Sequence, residues 1–423
     1  MKISNTVLLF LLGSLLVAAG EVDRLISDLR RGDKVTRREA ARSLALLGPE
    51  AKPAVSALVK GLDDDEEQVF FWSATALTNL GPDAHEATPE LIKRLRRSGR
   101  RYRDQVRLRM VTALTRIGPA AIPQLIDALD NESQSIRSGA AKVLGNMGST
   151  AHEAAPRLFA LLGDEEIYLG ETAGAALGKI GPAAHPQVLE ALGSDNENIR
   201  AAAAVAIGWM SQPGEPAKRL AKRLEVEPSN RVTANGLEAL NRVGLPGDQL
   251  LPLLLPALDH DGDRVRHEAM NGLLSLRPDS RAAVPHLVER LENGDPAKRS
   301  QAINLLGRIG PDAGGAVSRL IAHLGQAAEG EQVACRQAMV QIGQAAVPEI
   351  LASAKSQPLA KLGGESWQAK CLGEIGLQAA PALAAALKAE QADGSVYLSL
   401  LGLKNIAARS AAVRQAILPF LEH

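Results

Sequence analysis

A short anchor, Gly-Pro in its fullest form, returns about every 33 residues and constrains the fold more than any other feature of the chain. Clear copies and degenerate copies in the same frame give twelve anchors: Gly48, Gly81, Gly118, Gly148, Gly181, Ser211, Gly244, Arg277, Gly310, Gly343, Gly376 and Ala407. A repeat of this length is typical of a solenoid, in which each unit must stack on its neighbours to bury its apolar face. The frame therefore predicts a repeat architecture with an extended binding surface, and it leaves the partner open.

The residues before each anchor follow a helical pattern. The positions four and one residues before the anchor are large and apolar in all twelve copies, as at Leu44 and Leu47, and those eight and seven before it are mostly small. Spacings of three and four place these residues on one face of an α-helix. The anchor Gly and Pro end that helix, and a further Pro such as Pro53 suits the first turn of another. Each repeat is thus predicted to hold two helices, called here the first and the second helix.

The repeat also resembles a known family. The phrases Gly-Pro-x-Ala, Pro-x-Leu, Asp-x-Asp, Val-Arg and Ala-Leu-Gly-x-Ile-Gly are similar to HEAT repeats of the phycobilisome-lyase-like type, best at 136–148 and 199–210. The family's arginine near the start of the second helix stands at six of the twelve copies: Arg37, Arg107, Arg137, Arg200, Arg266 and Arg299. The resemblance covers residues 21–423. It implies an all-α fold, a right-handed α-α superhelix of about twelve helical hairpins plus a terminal helix, with the second helices on the concave side.

The N-terminus differs from the repeats. Lys2 precedes the apolar run Val7–Val17, which is followed by small residues up to Gly20. This pattern predicts a signal peptide over residues 1–20, a continuous repeat array over 21–423, and a secreted or periplasmic location. A membrane anchor is the alternative, but the run is short for a bilayer, so we expect no stable membrane span after cleavage.

Charge and cysteine content narrow the function. Lys plus Arg and Asp plus Glu both total 48, so the global charge gives no reason to expect a nucleic acid partner. Cys335 and Cys371 could form a disulfide after export. Both occupy small-residue core positions of adjacent second helices, however, and the separation of neighbouring helix axes favours buried free thiols.

An enzyme of the HEAT-like class is the competing functional hypothesis. His-Glu pairs resemble the ligands of a metal-dependent HEAT-like enzyme, deoxyhypusine hydroxylase, but only His267-Glu268 starts a second helix here. One pair cannot assemble a two-metal site. A bilin-lyase-like activity is the other enzymatic possibility, and no transferable catalytic motif supports it. We expect no catalytic residues, no metal and no cofactor, with His267 and Glu268 as the alternative metal site.

A basic stretch between Lys93 and Arg109 contains one acid, Asp104. The acidic turn 63–67 of the preceding repeat should lie beside it in a stacked array, so we interpret the two as mutually neutralising. The alternative is a site for an anionic or acidic partner, formed by Arg96, Arg97, Arg100, Arg101 and Arg103.

Tryptophans give the strongest indication of a binding surface. The positions thirteen, nine, six and two before the anchor lie opposite the core of the second helix, and they carry Tyr168, Trp72, Trp367, Trp209, Arg116, Lys179, Arg242 and Arg308. Aromatic residues and arginines are enriched at protein-binding hot spots. Each indole could instead lie flat against the next repeat. We interpret the chain as an exported scaffold that binds an unidentified protein partner along this face.

Overall fold

A computed structural model describes residues 20–96, 103–211, 214–276, 279–355, 366–388 and 394–408, with a few single positions between them. These residues form 24 α-helices in consecutive pairs. The first helices are α1 (20–31), α3 (Val55–Gly61), α5 (Thr88–Lys93), α7 (Ile122–Asp127), α9 (Ala155–Ala160), α11 (His185–Ala191), α13 (Gly214–Leu224), α15 (Gly247–Ala257), α17 (Val284–Asn293), α19 (Val317–Leu324), α21 (Val347–Ala352) and α23 (Ala380–Lys388). The second helices are α2 (Lys34–Leu47), α4 (Glu67–Leu80), α6 (Arg103–Ile117), α8 (Gln134–Met147), α10 (Ile167–Ile180), α12 (Glu197–Gly208), α14 (Asn230–Val243), α16 (Asp263–Ser275), α18 (Pro296–Ile309), α20 (Glu329–Ile342), α22 (Trp367–Ile375) and α24 (Gly394–Ala407).

The all-α architecture of helical hairpins is therefore confirmed. Its helices group into two compact units, one ending at Gly244 and the other beginning at Leu245. The predicted signal segment lies outside the described residues except for Gly20, and so does nearly all of the predicted terminal helix after Ala407. The continuous array over 21–423 stays a prediction.

Glycine anchors end the second helices. Nine of the twelve anchors are glycines with positive φ, from 54° at Gly81 to 99° at Gly181, and no other residue type has positive φ in the described part of the chain. Gly244 is left-handed helical, with φ 68° and ψ 48°. Gly48, with φ 60° and ψ −130°, instead lies in a region that the absence of a Cβ opens. The chain enters a 3₁₀ turn directly at Gly48, so it must reverse within one residue.

Most apolar residues that the repeat pattern assigns to the core are buried in the structure. The position four before the anchor is completely buried in the first five repeats, from Leu44 to Leu177. Cys335 and Cys371 are buried and free. Burial raises the pKa of both thiols to about 12, so each behaves as a small apolar side chain.

Close contacts between glycine and alanine join the second helices from α8 to α14. We call these contacts the small-residue seam, which consists of Gly145, Ala176, Gly178, Ala206, Gly208 and Ala239. A Cβ added at Gly145 would lie 2.7 Å from the Ala176 Cα, and one added at Gly208 would lie 2.9 Å from the Ala239 Cα. In each case the glycine three residues before one anchor faces the alanine five residues before the next anchor. The first helices of these repeats contact one another far less, so the repeats are packed more tightly on the second-helix side.

Arginines near the start of several second helices link their repeat to the next one. We call each an arginine clamp, because the arginine donates both to backbone carbonyls of its own turn and to a carboxylate of the following repeat. Arg200 donates to the backbone carbonyls of Ser194 and Asp195, both at 2.9 Å, and to the carboxylate of Glu227 in the next repeat at 2.9 and 3.1 Å. The Glu227 side chain is fully buried and also pairs with Arg223 at 2.9 Å. The hydrogen bonds to Glu227 raise the pKa of Arg200, so the clamp stays charged.

The clamp is built again in other repeats. Arg37 joins the Gly32 carbonyl to Asp64, and Arg299 joins the Gly294 carbonyl to Glu331. The sequence identified these arginines by resemblance, and the structure gives them a role in holding neighbouring repeats together.

Gly178→Ala should destabilise the first unit by about 1–3 kcal/mol, because the new methyl group would overlap the Ala206 carbonyl oxygen. Thermal or urea unfolding measures this change. Gly330→Ala is the matched control, since a Cβ there would meet open space within α20, and it should be neutral or slightly stabilising. Equal effects of the two substitutions would contradict the small-residue seam.

Glu227→Ala should lower the free energy of unfolding by about 3 kcal/mol, because it leaves the buried Arg200 without its carboxylate. Urea denaturation of the Glu227→Ala and Glu225→Ala proteins checks this prediction. Glu225 is exposed, so its removal should change stability little. A Glu227→Ala protein as stable as the control would show that the clamp does not stabilise the fold.

Candidate binding surface on the second helices

Trp209 lies between two cations of neighbouring repeats. It follows the last residue of α12 and is 40% exposed. The Lys179 Nζ of α10 lies 4.2 Å from the ring centroid, and the Arg242 Cζ of α14 lies 4.4 Å from it. All three residues stand two positions before their anchors, so the small-residue seam brings them within cation–π distance. Three residues predicted separately thus form one cluster.

Other positive side chains extend this cluster along the same ends of the second helices. We call Arg116, Lys142, Lys179 and Arg242 the cationic edge. The Lys179 Nζ donates to the Asn146 Oδ1 at 3.3 Å. Burial lowers the pKa of Lys179, and repulsion from Lys142 and Arg242 lowers it further.

The cations of the edge differ in their partners. Arg242 pairs with Glu238 at 2.6 Å. Arg116 and Lys142 are exposed, and neither lies within ion-pair distance of any carboxylate that the structure describes. The cationic edge therefore carries more positive than negative charge.

A second aromatic cluster lies on α4. Phe71 and Trp72 meet edge to face, with ring centroids 5.0 Å apart. The Arg42 Cζ of α2 is 5.7 Å from the Trp72 centroid, and the Arg109 Cζ of α6 is 4.0 Å from the Phe71 centroid. Beside it, Leu108 is 59% exposed and lines an open groove with threonines of α4 and α6. Trp72 was predicted, whereas Phe71 was missed although it stands ten before its anchor and points to the same side.

A contact between non-neighbouring helices shows how the second-helix surface curves. The Asn235 Nδ2 of α14 donates to the Glu171 Oε1 of α10 at 2.8 Å, across the intervening α12. This is possible because α12 has only small residues there, Ala201 and Ala202. From α10 to α14 the second-helix surface is therefore locally concave.

The other predicted contact residues do not join either cluster. Tyr168 is 56% exposed on α10. Trp367 is half-buried at the start of α22. Arg308 is exposed on α18, where it interacts with another residue of the chain. These last two residues belong to the second unit.

The basic stretch is only partly described. Arg94 pairs with Asp63 of the acidic turn at 2.5 Å, as the neutralising interpretation predicts. Two other acids of that turn, Asp64 and Asp65, instead pair with Arg37. Arg96 is exposed, whereas Arg97, Arg100, Arg101 and the side chain of Arg103 lie outside the described residues. The anion site stays a prediction.

The alternative metal site is not supported by its surroundings. His267 is exposed on α16, and Glu268 beside it already interacts with another residue of the chain. No group of three or more His, Cys, Asp or Glu residues within the described ranges could hold a metal ion. None of the helices in the described part of the chain has the length and apolar character that a membrane span requires.

The Lys179 Nζ should titrate below the usual lysine range, and Arg242→Gln should raise its pKa because one of the repelling charges is removed. Because the pKa of Lys179 is lowered in the folded state, the unsubstituted folded protein should release the Lys179 proton at a lower pH than the unfolded chain. The contribution of Lys179 to the free energy of unfolding should therefore rise with pH between the two pKa values. NMR of ¹³Cε-labelled lysine measures the pKa, and a Lys179 pKa in the ordinary range, unmoved by Arg242→Gln, would contradict the cluster.

Comparison with solved structures returned karyopherins. Kap121p matches with 14% identity and a TM-score of 0.48, over 95% of this chain and 54% of that one. Kap121p bound to Nup53p matches with 15% identity and a TM-score of 0.49, over 97% and 54%. Yeast importin-β (Kap95p) matches with 13% identity and a TM-score of 0.49, over 95% and 65%. The chain thus spans about half the length of the Kap121p structures.

The predicted secreted or periplasmic location is wrong on this comparison, because the matched structures are karyopherins, one of which is described in nuclear import complex assembly. The signal-peptide pattern is one of composition, an apolar run behind a single lysine, and it is not specific to export.

A comparison with family models identifies the repeats, while no curated protein matches the chain. The model for HEAT repeats matches residues 22–105, 100–169 and 155–241, which together exceed half of the sequence. All three matches lie in the first unit, which also contains the small-residue seam and the clamps of Arg37 and Arg200. The chain therefore belongs to the HEAT-repeat family.

Proposed function

We propose that this protein is an interaction scaffold that binds a protein partner on the second-helix surface of its first unit, from α2 to α14. One observation carries the proposal. Two partly exposed aromatic groups, Trp209 and the Phe71–Trp72 pair, are each flanked by cations from the second helices on both sides. Aromatic and arginine side chains supply most of the affinity in many protein interfaces.

The surface that holds these groups suits a partner that contacts several repeats. It is locally concave where Glu171 meets Asn235 across α12. Concave surfaces of stacked repeats can enclose an extended ligand, because each repeat contributes a few side chains to one continuous face. The groups predicted in the second unit, around Trp367 and Arg308, belong to the proposal as further contacts.

The finer repeat type is also proposed here. The Ala-Leu-Gly-x-Ile-Gly phrase supports the phycobilisome-lyase-like subtype, and the structure gives its first glycine a role, since Gly145 and Gly178 of that phrase form part of the small-residue seam. The subtype supplies no catalytic residue.

If the tryptophans had a purely structural role, their substitution would affect stability and binding differently. If Trp209 only covered the backbone near Gly178, its removal would lower stability and leave binding intact. A contact residue should behave in the opposite way, with a large loss of binding and a modest change in stability.

Trp209→Ala and Trp72→Ala should each weaken partner binding by about 2 kcal/mol or more. Capture from an extract of the source cell, followed by calorimetric titration of the recovered partner, measures the effect. Phe159→Ala on the first helix α9 is the matched control, because Phe159 is also half-buried but lies in the other layer. Equal recovery and equal affinity for all three variants would refute this binding surface.

A further inference from the structure

We propose that the cationic edge binds an acidic segment of the partner, with one carboxylate placed at the exposed edge of Trp209. This inference rests on the proposed function and names the chemistry of the ligand. It starts from the second-helix residues that stand six and two before the anchors.

Charge along these positions is one-sided. On the five helices from α6 to α14 they hold the four cations of the cationic edge and one acid, Glu238, which is already paired with Arg242. Lys179 is held near Lys142 and Arg242 although both repel it. Arg116 and Lys142 contact no carboxylate among the described residues. An acidic chain would supply the missing counter-charges, and it would do so in an extended form that follows the repeats.

The geometry at Trp209 selects an anion over an apolar or a cationic group. Lys179 and Arg242 come from helices on opposite sides of α12, so they cover the two faces of the indole at 4.2 and 4.4 Å. With both faces covered, a ligand can approach the ring only at its edge, which carries partial positive charge and the N–H donor. This N–H has no acceptor among the residues that the structure describes. A carboxylate placed at this edge can accept from the indole N–H while both flanking cations attract it.

The length of the cationic edge sets the length of the ligand. Arg116 on α6 and Arg242 on α14 are separated by four helix spacings of about 8–10 Å each. An extended chain covers about 3.3–3.6 Å per residue, so roughly nine to twelve residues are needed to reach from one end to the other. A peptide of four residues can contact only part of the edge.

The test uses the full chain with Trp72→Phe and Trp367→Phe, so that Trp209 alone reports by fluorescence. The probes are a twelve-residue peptide of alternating Glu and Ser, the same peptide with Gln for Glu, and a four-residue Glu-Ser peptide. The long Glu peptide should bind and change the Trp209 emission, at least about tenfold more tightly than the Gln peptide and the short peptide. Its affinity should fall as salt is added.

Charge variants locate the site. Lys179→Gln should weaken the long Glu peptide about tenfold, and Lys179→Arg should retain most of the affinity. Lys142→Gln, which is not among the cations that cover the indole, should also weaken binding. Lys218→Gln on the first helix α13 removes an exposed charge of the other layer and should change nothing.

Three results would overturn the inference: equal binding or no binding of the Glu and Gln peptides, identical behaviour of Lys142→Gln and Lys218→Gln, or complete displacement of the peptide by millimolar inorganic phosphate, which would indicate a small-anion site. If cellular partner capture still requires Trp209 in any of these cases, the scaffold function stands and only the acidic ligand is wrong. If capture is independent of Trp209 and Trp72 while the Glu peptide binds as described, the acidic site stands and the scaffold proposal fails.

Discussion

The close approach of the second helices is the constraint on which the binding surface depends. Gly178 brings the backbone of α10 against that of α12, and Gly208 does the same for α12 and α14. Side chains at equivalent positions of successive repeats can then touch directly. Lys179, Trp209 and Arg242 stack for this reason, and Asn235 can reach Glu171 over the alanines of α12. A larger side chain in the small-residue seam would separate the helices and open the stack as well as the core.

Arginine has two roles in this protein, and its position in the repeat decides which one it takes. Near the start of the second helix it forms a clamp, with its donors divided between turn carbonyls and an acid of the next repeat, as at Arg200. At the opposite end of the second helices, Arg116 and Arg242 are exposed, and of the two only Arg242 forms an ion pair among the described residues. The clamps hold the stack together through buried or half-buried pairs, so the other end of each helix can carry side chains that the stack does not require.

The repeat frame predicts most of the fold because helical periodicity and glycine turns are local properties. It fixes the position of each residue within its repeat, and so it shows that Lys179, Trp209 and Arg242 occupy the same position of successive repeats. The distance between equivalent residues of two repeats is not a local property, since it depends on contacts such as Gly178 with Ala206 that join the repeats. Pairing between repeats is likewise not visible in the frame. Asp64 and Asp65 were expected to pair with the basic stretch, and they pair with Arg37 instead. Phe71 was missed because the outward face was assigned to positions thirteen, nine, six and two before the anchor, and position ten also faces outward.

A structural explanation exists for part of the cationic edge. Cations in the last turn of a helix interact favourably with the negative end of the helix dipole, and this accounts for Arg116, Lys179 and Arg242, two residues before their anchors. The dipole effect is confined to about one turn, so it does not account for Lys142, six residues before its anchor. It also gives no reason for a tryptophan that is 40% exposed between two cations. The helix dipole therefore explains where cations are tolerated, and the proposed acidic ligand would explain why they are collected around Trp209 although Lys142 and Arg242 repel Lys179.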